Sequence, residues 1–445
     1  MKLAELARAR VGILGFGREG KAAFEAIRRF RSAADLTVLV ESGTVPEGIP
    51  VQAGPFDDRL EDFEVLIRSP GVPVLHPALE RFHRAGGRVV NPGSIWFAER
   101  PDLPVVAVTG SKGKSTTSSM LAGMLSAGGR RVVLAGNIGV PLLAHLDCDA
   151  DLVVVELSSY QLADLEGRLA FGIMTRLFPE HGDWHGGWQH YYASKMRMVD
   201  LLFGAPLLIN AGDETLREHT RTAPGRLLGN RSPLVHRSGD GLYSQDRRLT
   251  SLERLRLIGR HNLDNAALAV EAALRLGVGL ETAVGALEAF EPLAHRLEVV
   301  ARRDGVDWIN DSIATTPHAT LAALQALDGQ RVVLIAGGYV RPADWRPVLE
   351  FCRDRPLHGL VLMPDSGPVI ARAFAEAGLE PVAGMNAVDN LSSAVREAAS
   401  MTGEAPVTVL LSPGAASFPK FRDFEDRGQQ FHAAVADYYS DRSTA

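Results

Sequence analysis

Short, wholly apolar runs alternate with amphipathic segments along the whole chain. Val11-Gly12-Ile13-Leu14 is the first such run, and residues 21–30 space their apolar side chains as a helix does. Residues 36–40, Val65-Leu66-Ile67 and Arg88-Val89-Val90 read as further strands. A second series opens with Val105-Val106-Ala107-Val108 and a helix over 118–126. It continues through strands at 131–134, 152–156, 173–177 and 206–210 to a helix over 262–276. A third series places strands at Trp308-Ile309, 332–335, 360–362 and 407–411. Apolar strands separated by helical segments predict parallel, doubly wound sheets of the α/β class. No internal repeat, low-complexity tract or sustained heptad interrupts the pattern.

Length and composition narrow this picture. The 445 residues suffice for about three domains. Prolines at 101 and 104 and the start of the third series near Arg296 set the expected boundaries: 1–100, 101–295 and 296–445. With 46% apolar residues, 22% charged residues and a net charge of −6, the chain reads as soluble and globular. It is ill-suited to non-specific binding of a phosphate backbone. No apolar run reaches the roughly 18 residues that span a bilayer, since Gly204 and Pro206 break the longest candidate. Glu5 falls where a signal peptide would be apolar. Two cysteines, Cys148 and Cys352, make neither a disulfide framework nor a thiolate zinc site, so the expected compartment is the cytoplasm.

Candidate chemistry gathers at predicted strand ends. Gly15-Phe16-Gly17-Arg18-Glu19-Gly20 joins a strand to a helix, with Glu41 further on, and such a turn admits a diphosphate to a helix N-terminus. Any nucleoside diphosphate, a UDP-sugar or a nicotinamide dinucleotide, could use it, and a plain tight turn has the same signature. Gly110-x-x-Gly113-Lys114-Ser115-Thr116 is more specific. Its N–H groups would face phosphates, Lys114 would reach the β- and γ-oxygens of ATP, and Ser115 or Thr116 would hold Mg²⁺. The loop is shorter than the usual pattern, because Val108 stands where a first glycine would be. Glu156-Leu157-Ser158-Ser159 offers a carboxylate for Mg²⁺ or, more plainly, a helix cap. Glu180-His181-Gly182-Asp183 offers a ligating or packing histidine. Lys195, taken alone, reads as a solvated lysine.

The order of these motifs, with Asn137-Ile138-Gly139, His261-Asn262-x-x-Asn265, His295-Arg296 and Asn310-Asp311-Ser312, resembles the Mur ligases, ATP-dependent amide-forming enzymes of peptidoglycan precursor synthesis. The glycine turn, Ser69-Pro70-Gly71, the 411–417 stretch and Phe424-Glu425-Asp426-Arg427-Gly428 resemble the MurD type, which adds glutamate to UDP-N-acetylmuramoyl-L-alanine. The resemblance spans essentially the whole chain. It implies a Rossmann-like nucleotide-sugar domain, a central P-loop ATPase-like domain and a C-terminal Rossmann-like α/β domain. It further implies that Gly15, Phe16, Gly17, Arg18, Ser42, Ser69, Pro70 and Gly71 face the UDP moiety. Gly110, Gly113, Lys114, Ser115 and Thr116 then bind ATP, and Asn262, Asn265, Arg296 and Asp311 contact the nucleotide. Two Mg²⁺ ions are held by Ser115, Glu156, His181 and Lys195, the lysine occupying the position that the family carbamylates. Asn137 and Ser158 approach the muramoyl group. The acting form is a monomer working on small molecules alone.

Departures cluster at the amino-acid pocket. Ile313 stands where the MurD type carries a lysine, and Arg341 replaces another lysine in Gly337-Gly338-Tyr339-Val340-Arg341. Thr315, Ser417 and Phe424 match glutamate-contacting positions. A planar guanidinium grips a carboxylate differently from an ammonium, and the altered cations favour the MurD-like subfamily that uses L-glutamate over the one that uses D-glutamate. A folylpolyglutamate synthase shares a similar loop but not the N-terminal nucleotide-type domain. A nicotinamide-dependent oxidoreductase, or a binding module without catalysis, leaves Lys114, Glu156 and Lys195 without roles.

Overall fold

The computed structural model describes residues 1–29, 36–41, 45–255, 257–291, 294–340, 343–403 and 406–443. The chain divides into two compact units, Met1–Leu255 with Asn262–Phe290, and Arg256–His261 with Glu291–Ala445.

The first unit holds two parallel sheets. Strands β1 (Val11–Leu14), β2 (Leu36–Val40), β3 (Val51–Ala53), β4 (Val65–Arg68) and β5 (Arg88–Val90) are ordered β3-β2-β1-β4-β5. Strands β6 (Val105–Thr109), β7 (Val132–Gly136), β8 (Leu152–Glu156), β9 (Phe171–Met174), β10 (Leu207–Asn210) and β11 (Arg226–Gly229) are ordered β11-β10-β9-β6-β8-β7. Strand order reverses beside β1 and beside β6, so each sheet opens a ligand crevice at the C-terminal end of that strand. One apolar core runs through both sheets. It takes Ile13 and Val38 from the first, Ala107, Val153 and Ile209 from the second, Trp96 from the helix Pro92–Glu99, and Leu142 and Leu143 between the sheets. A small antiparallel sheet, β12 (His236–Ser238), β13 (Gly241–Ser244) and β14 (Arg247–Ser251), follows. The helices His261–Arg275 and Leu280–Glu288 complete the unit, the latter packing on the helix Lys114–Ala127.

The second unit is one sheet of β15 (Glu298–Arg303), β16 (Val306–Asn310), β17 (Val332–Gly338), β18 (Gly359–Asp365), β19 (Met385–Ala387) and β20 (Val407–Leu411), in the order β15-β16-β20-β17-β18-β19. Only β15 runs antiparallel to its neighbour. Trp308, Val333, Val409 and Phe431 fill one face, and Leu334, Leu349, Leu360 and Phe374 the other.

The expected strands recur, several of them with shifted ends. The 173–177 strand instead covers Phe171–Met174, and the helix expected to start at Ser118 starts four residues earlier, at Lys114, because Gly113 in the left-handed region ends the turn directly before it. Among the described residues no helix is long and apolar enough to cross a membrane.

Candidate functional site

The chain enters the 110–113 turn from β6 and leaves it into the helix Lys114–Ala127. Gly113 has φ of 91°, and a Cβ there would lie 2.3 Å from Asn265 Oδ1. The Lys114 ammonium donates to the carbonyls of Gly110 at 3.0 Å and Ser111 at 2.9 Å. Lys195, on the helix Trp188–Leu202, donates to the same Gly110 carbonyl at 2.8 Å and stands 4.9 Å from the centre of the Tyr191 ring. It is only 1% exposed, which overturns the solvated reading. Burial first, then the charge of Lys114, hold its amine well below the usual lysine range, against the pull of Glu180 and Glu156.

Glu156 ends β8, in register with Val108 of β6. Asn137 Nδ2 donates to its Oε1 at 2.8 Å, while Oε2 is buried and has no hydrogen-bond partner among the described residues. A buried carboxylate oxygen left in this state has the chemistry of a cation ligand. Ser115 is buried in the first turn of the neighbouring helix and Thr116 is half-buried. Carboxylate and hydroxyl oxygens suit Mg²⁺, so the residues fit the ion that ATP chemistry requires.

His181 is exposed, in left-handed backbone with φ of 53°, its ring 5.0 Å from that of Tyr160 and 6.1 Å from that of Tyr191. Desolvation by these surroundings lowers its pKa; Lys114, Lys195 and Lys112 add to the fall and Glu180 opposes it. Glu180 pairs with Lys112 at 3.1 Å. Behind it His185 is buried between the hydroxyls of Ser159 at 3.0 Å and Ser194 at 3.3 Å. Asn262 and Asn265 come to the turn at the start of their helix, joined by a 3.0 Å bond. Asp264 pins that start, accepting from Arg176, Asn230 and Arg237 at 2.7–3.0 Å.

The sugar-nucleotide candidates meet at the other crevice. Gly20 packs so closely that a Cβ would lie 2.1 Å from the Gly15 carbonyl, and Ser69 Oγ donates to that carbonyl at 2.9 Å. Phe16 packs edge-on against Phe24 at 5.8 Å, leaving Gly17 exposed at the helix entrance. Arg18 reaches the carbonyls of Gly139 at 3.2 Å and Asn137 at 3.4 Å, and Trp184 Nε1 donates to Gly71 at 3.2 Å, beside the half-buried Pro70. The two crevices are therefore joined by loops of one unit. Ser158 caps the short helix Ser159–Leu162 through a reciprocal box with Gln161, the plainer of its two expected uses. Gln161 extends the link by donating to Glu19 at 2.7 Å.

In the second unit Asp311 accepts from Ser412 Oγ at 2.9 Å, and Ser312 Oγ donates to the Phe424 carbonyl at 2.7 Å. Arg427, fully buried, donates to Ser312 Oγ and the Ser312 and Ala415 carbonyls at 2.7–3.0 Å, and burial lowers its pKa to about 10. Tyr339 N donates to Ala416 O at 2.9 Å, next to the buried Ser417. Thr315 is exposed, while Arg296 and Phe424 are half-buried. Ser42 and Arg341 lie outside the described residues.

Several participants escape sequence reasoning. Tyr191 holds Ser111 Oγ at 2.7 Å, and Arg68 holds Asp164 at 2.6 Å, across 80 and 96 residues of chain. Only contacts between distant segments reveal them. Arg427, by contrast, sits inside a quoted motif, and its place in an otherwise apolar helix face was the available signal.

Residues 108–273 match the Mur ligase middle domain, and residues 295–414 match the Mur ligase, glutamate ligase domain. A protein of Micromonospora sp. named UDP-N-acetylmuramoyl-L-alanine--L-glutamate ligase is 39% identical over 457 residues, covering 98% of both chains. A protein of the same name from Xylella fastidiosa is 36% identical, covering 97% of this chain and 96% of the relative. Among solved structures, UDP-N-acetylmuramate-alanine ligase MurC from Thermotoga maritima aligns with a TM-score of 0.58 at 18% identity, over 98% of this chain and 100% of that one. MurF ligase from the same organism, in complex with ADP, aligns with a TM-score of 0.56 at 14% identity, over 98% and 97%.

Proposed function

The chain belongs to the Mur ligase family, and from that premise we propose that it joins L-glutamate to UDP-N-acetylmuramoyl-L-alanine with consumption of ATP. The observation that carries the reading is the convergence on the 110–113 turn. Two lysines share one carbonyl there, beside a buried carboxylate with an unpartnered oxygen. The full-length relatives that carry the L-glutamate name support the choice of amino acid, as do Ile313 and Arg341 in the expected pocket.

A carboxylate is a poor acyl donor. ATP therefore passes its γ-phosphoryl group to the terminal alanine carboxylate, the glutamate amine attacks the resulting acyl phosphate, and phosphate leaves. The turn's N–H groups and Lys114 hold the β- and γ-phosphates as negative charge moves between them. Asn265 and Asn262 flank the nucleotide. Glu156, Ser115, His181 and a carbamylated Lys195 would hold two Mg²⁺ ions, with Asn137 fixing the Glu156 carboxylate. When bound, these ions neutralise phosphate oxygens that would otherwise repel the attacking carboxylate. Lys195 suits carbamylation because burial lowers the pKa of its amine and so favours the neutral form that is nucleophilic toward CO₂.

The glycine turn with Ser69, Pro70 and Gly71 would hold the UDP moiety, and Arg18 would close it onto the loop at 137–139. Arg296 and Asp311 would contact the nucleotide. Thr315, Ser417, Phe424 and Arg341 would receive glutamate. We read the chain as three domains with the boundaries given above, and the enzyme as a cytoplasmic monomer working on small molecules.

The test supplies D- and L-glutamate separately with ATP, Mg²⁺ and the UDP-muramoyl-alanine acceptor, reading phosphate release and product mass. Product with L-glutamate is expected. Product with D-glutamate alone would return the pocket to the standard MurD type, and no ATP consumption with either would overturn the ligase reading.

A further inference from the structure

A cluster of ligand-type side chains lies within the second unit. His295 precedes β15, Glu298 opens it, and His432 projects from the helix Phe424–Ser443. One ring nitrogen of each histidine and one Glu298 oxygen lie within 4.8 Å of one another. His432 Nε2 is 3.1 Å from Glu298 Oε1, and His295 Nδ1 is 3.8 Å from Glu298 Oε2. Ligand atoms about 2.0–2.1 Å from a tetrahedral ion are spaced about 3.3 Å apart; the His432–Glu298 pair already has that spacing, and the remaining pairs, within 4.8 Å, draw in when an ion binds.

The surroundings hold these donors in place. His295 is buried and the other two are half-buried. The His295 backbone N–H donates to Glu298 Oε2 at 2.7 Å. Asn310 Nδ2 lies 2.9 Å from His295 Nδ1 and 3.3 Å from Glu298 Oε2, and 3.3 Å from the Gly428 carbonyl. The amide thus bridges two donors, and it can pass to Glu298 alone when the imidazole takes an ion. The helix meets the ring at Gly428, where a Cβ would lie only 2.1 Å from Nδ1. One side-chain-free position therefore lets the helix seat the imidazole against its backbone.

We propose that His295, Glu298 and His432 bind a divalent transition-metal ion of the zinc class, with a fourth position open to water. Two imidazoles and one carboxylate select such an ion over Mg²⁺, whose preference is for oxygen alone. The ion would clamp the lead-in to β15 against the C-terminal helix. Because His295 is followed directly by Arg296, the clamp would also fix the segment carrying that arginine. The alternative is a relay in which Glu298 only accepts hydrogen bonds, from the His295 backbone N–H, the Asn310 amide and the His432 ring.

The experiment strips the full chain with a chelator and titrates it with Co²⁺ and then Zn²⁺, without nucleotide, alongside His432→Ala and Glu298→Gln. The site predicts one equivalent of Co²⁺ with visible bands of a nitrogen and oxygen ligand set, and no thiolate charge-transfer band from Cys148 or Cys352. Affinity should fall about tenfold or more in each variant, and Zn²⁺ should raise the thermal midpoint of the parent chain only. Binding unchanged in His432→Ala, or no saturable single equivalent, would establish the relay and overturn the metal site. Should Glu298→Gln fail to fold, His432→Ala decides alone, since that side chain leaves the buried network around Asn310 intact.

Discussion

The side chains around the 110–113 turn owe their chemistry to placement rather than type. Lys114 is legible from its motif, and Lys114→Ala should lower turnover on the order of a hundredfold or more with ATP saturating, checked by steady-state phosphate release. Lys195 differs: nothing local marks it, and its role depends on a helix that buries it against Gly110 and Tyr191. His185 shows the same dependence in a measurable way. Desolvation first, then the charges of His181, Lys195 and His190, lower its pKa to about 4, among the Ser159 and Ser194 hydroxyls and the rings of Tyr160, Trp184 and Tyr191. The unfolded chain takes a proton there below the ordinary histidine value, while the folded chain refuses it. This contribution is complete above about pH 6.5 and is lost as pH falls toward 4. In denaturant unfolding across that range, His185→Asn should flatten the slope; an unchanged slope would assign the acid sensitivity elsewhere.

At the scale of elements, strands rich in consecutive apolar residues were readable because a sheet covered on both faces demands such runs. β1, β2, β8 and β20 carry the expected bounds, as does the less buried β5. β3 was not readable: Val51, Gln52 and Ala53 are all exposed, so no burial pattern marks them. β12 to β14 are short strands with few buried residues and no apolar run, and β19 is a short edge strand. Helix starts were misplaced where a glycine conformation, not periodicity, decides the boundary. Gly113→Ala combines left-handed backbone with a 2.3 Å approach to Asn265. Strain of about 1–3 kcal/mol should weaken ATP binding roughly tenfold or more, with little effect on affinity for the UDP substrate. Equal loss of both affinities in calorimetric titrations would point to general unfolding of the unit instead.

Across the whole molecule, the first two sheets behave as one body because they share a core and an ion pair whose guanidinium is fully buried. Arg68 is fully buried, and Asp164 meets it with both carboxylate oxygens while also accepting from Asn91 at 2.6 Å. Asp164→Ala leaves a guanidinium buried without its counter-charge and should cost about 3 kcal/mol, read as a lower denaturant midpoint. A change within a few tenths of that midpoint would mean that the core alone unites the sheets. The chain also leaves the first unit at residue 255 and returns to it at 262, contributing its last helices only up to Phe290. During synthesis on the ribosome, the helix Lys114–Ala127 therefore waits for Leu280–Glu288, more than 150 residues later, before that flank is covered. Until then the nascent polypeptide presents an unfinished apolar surface, the kind of surface that chaperones shelter.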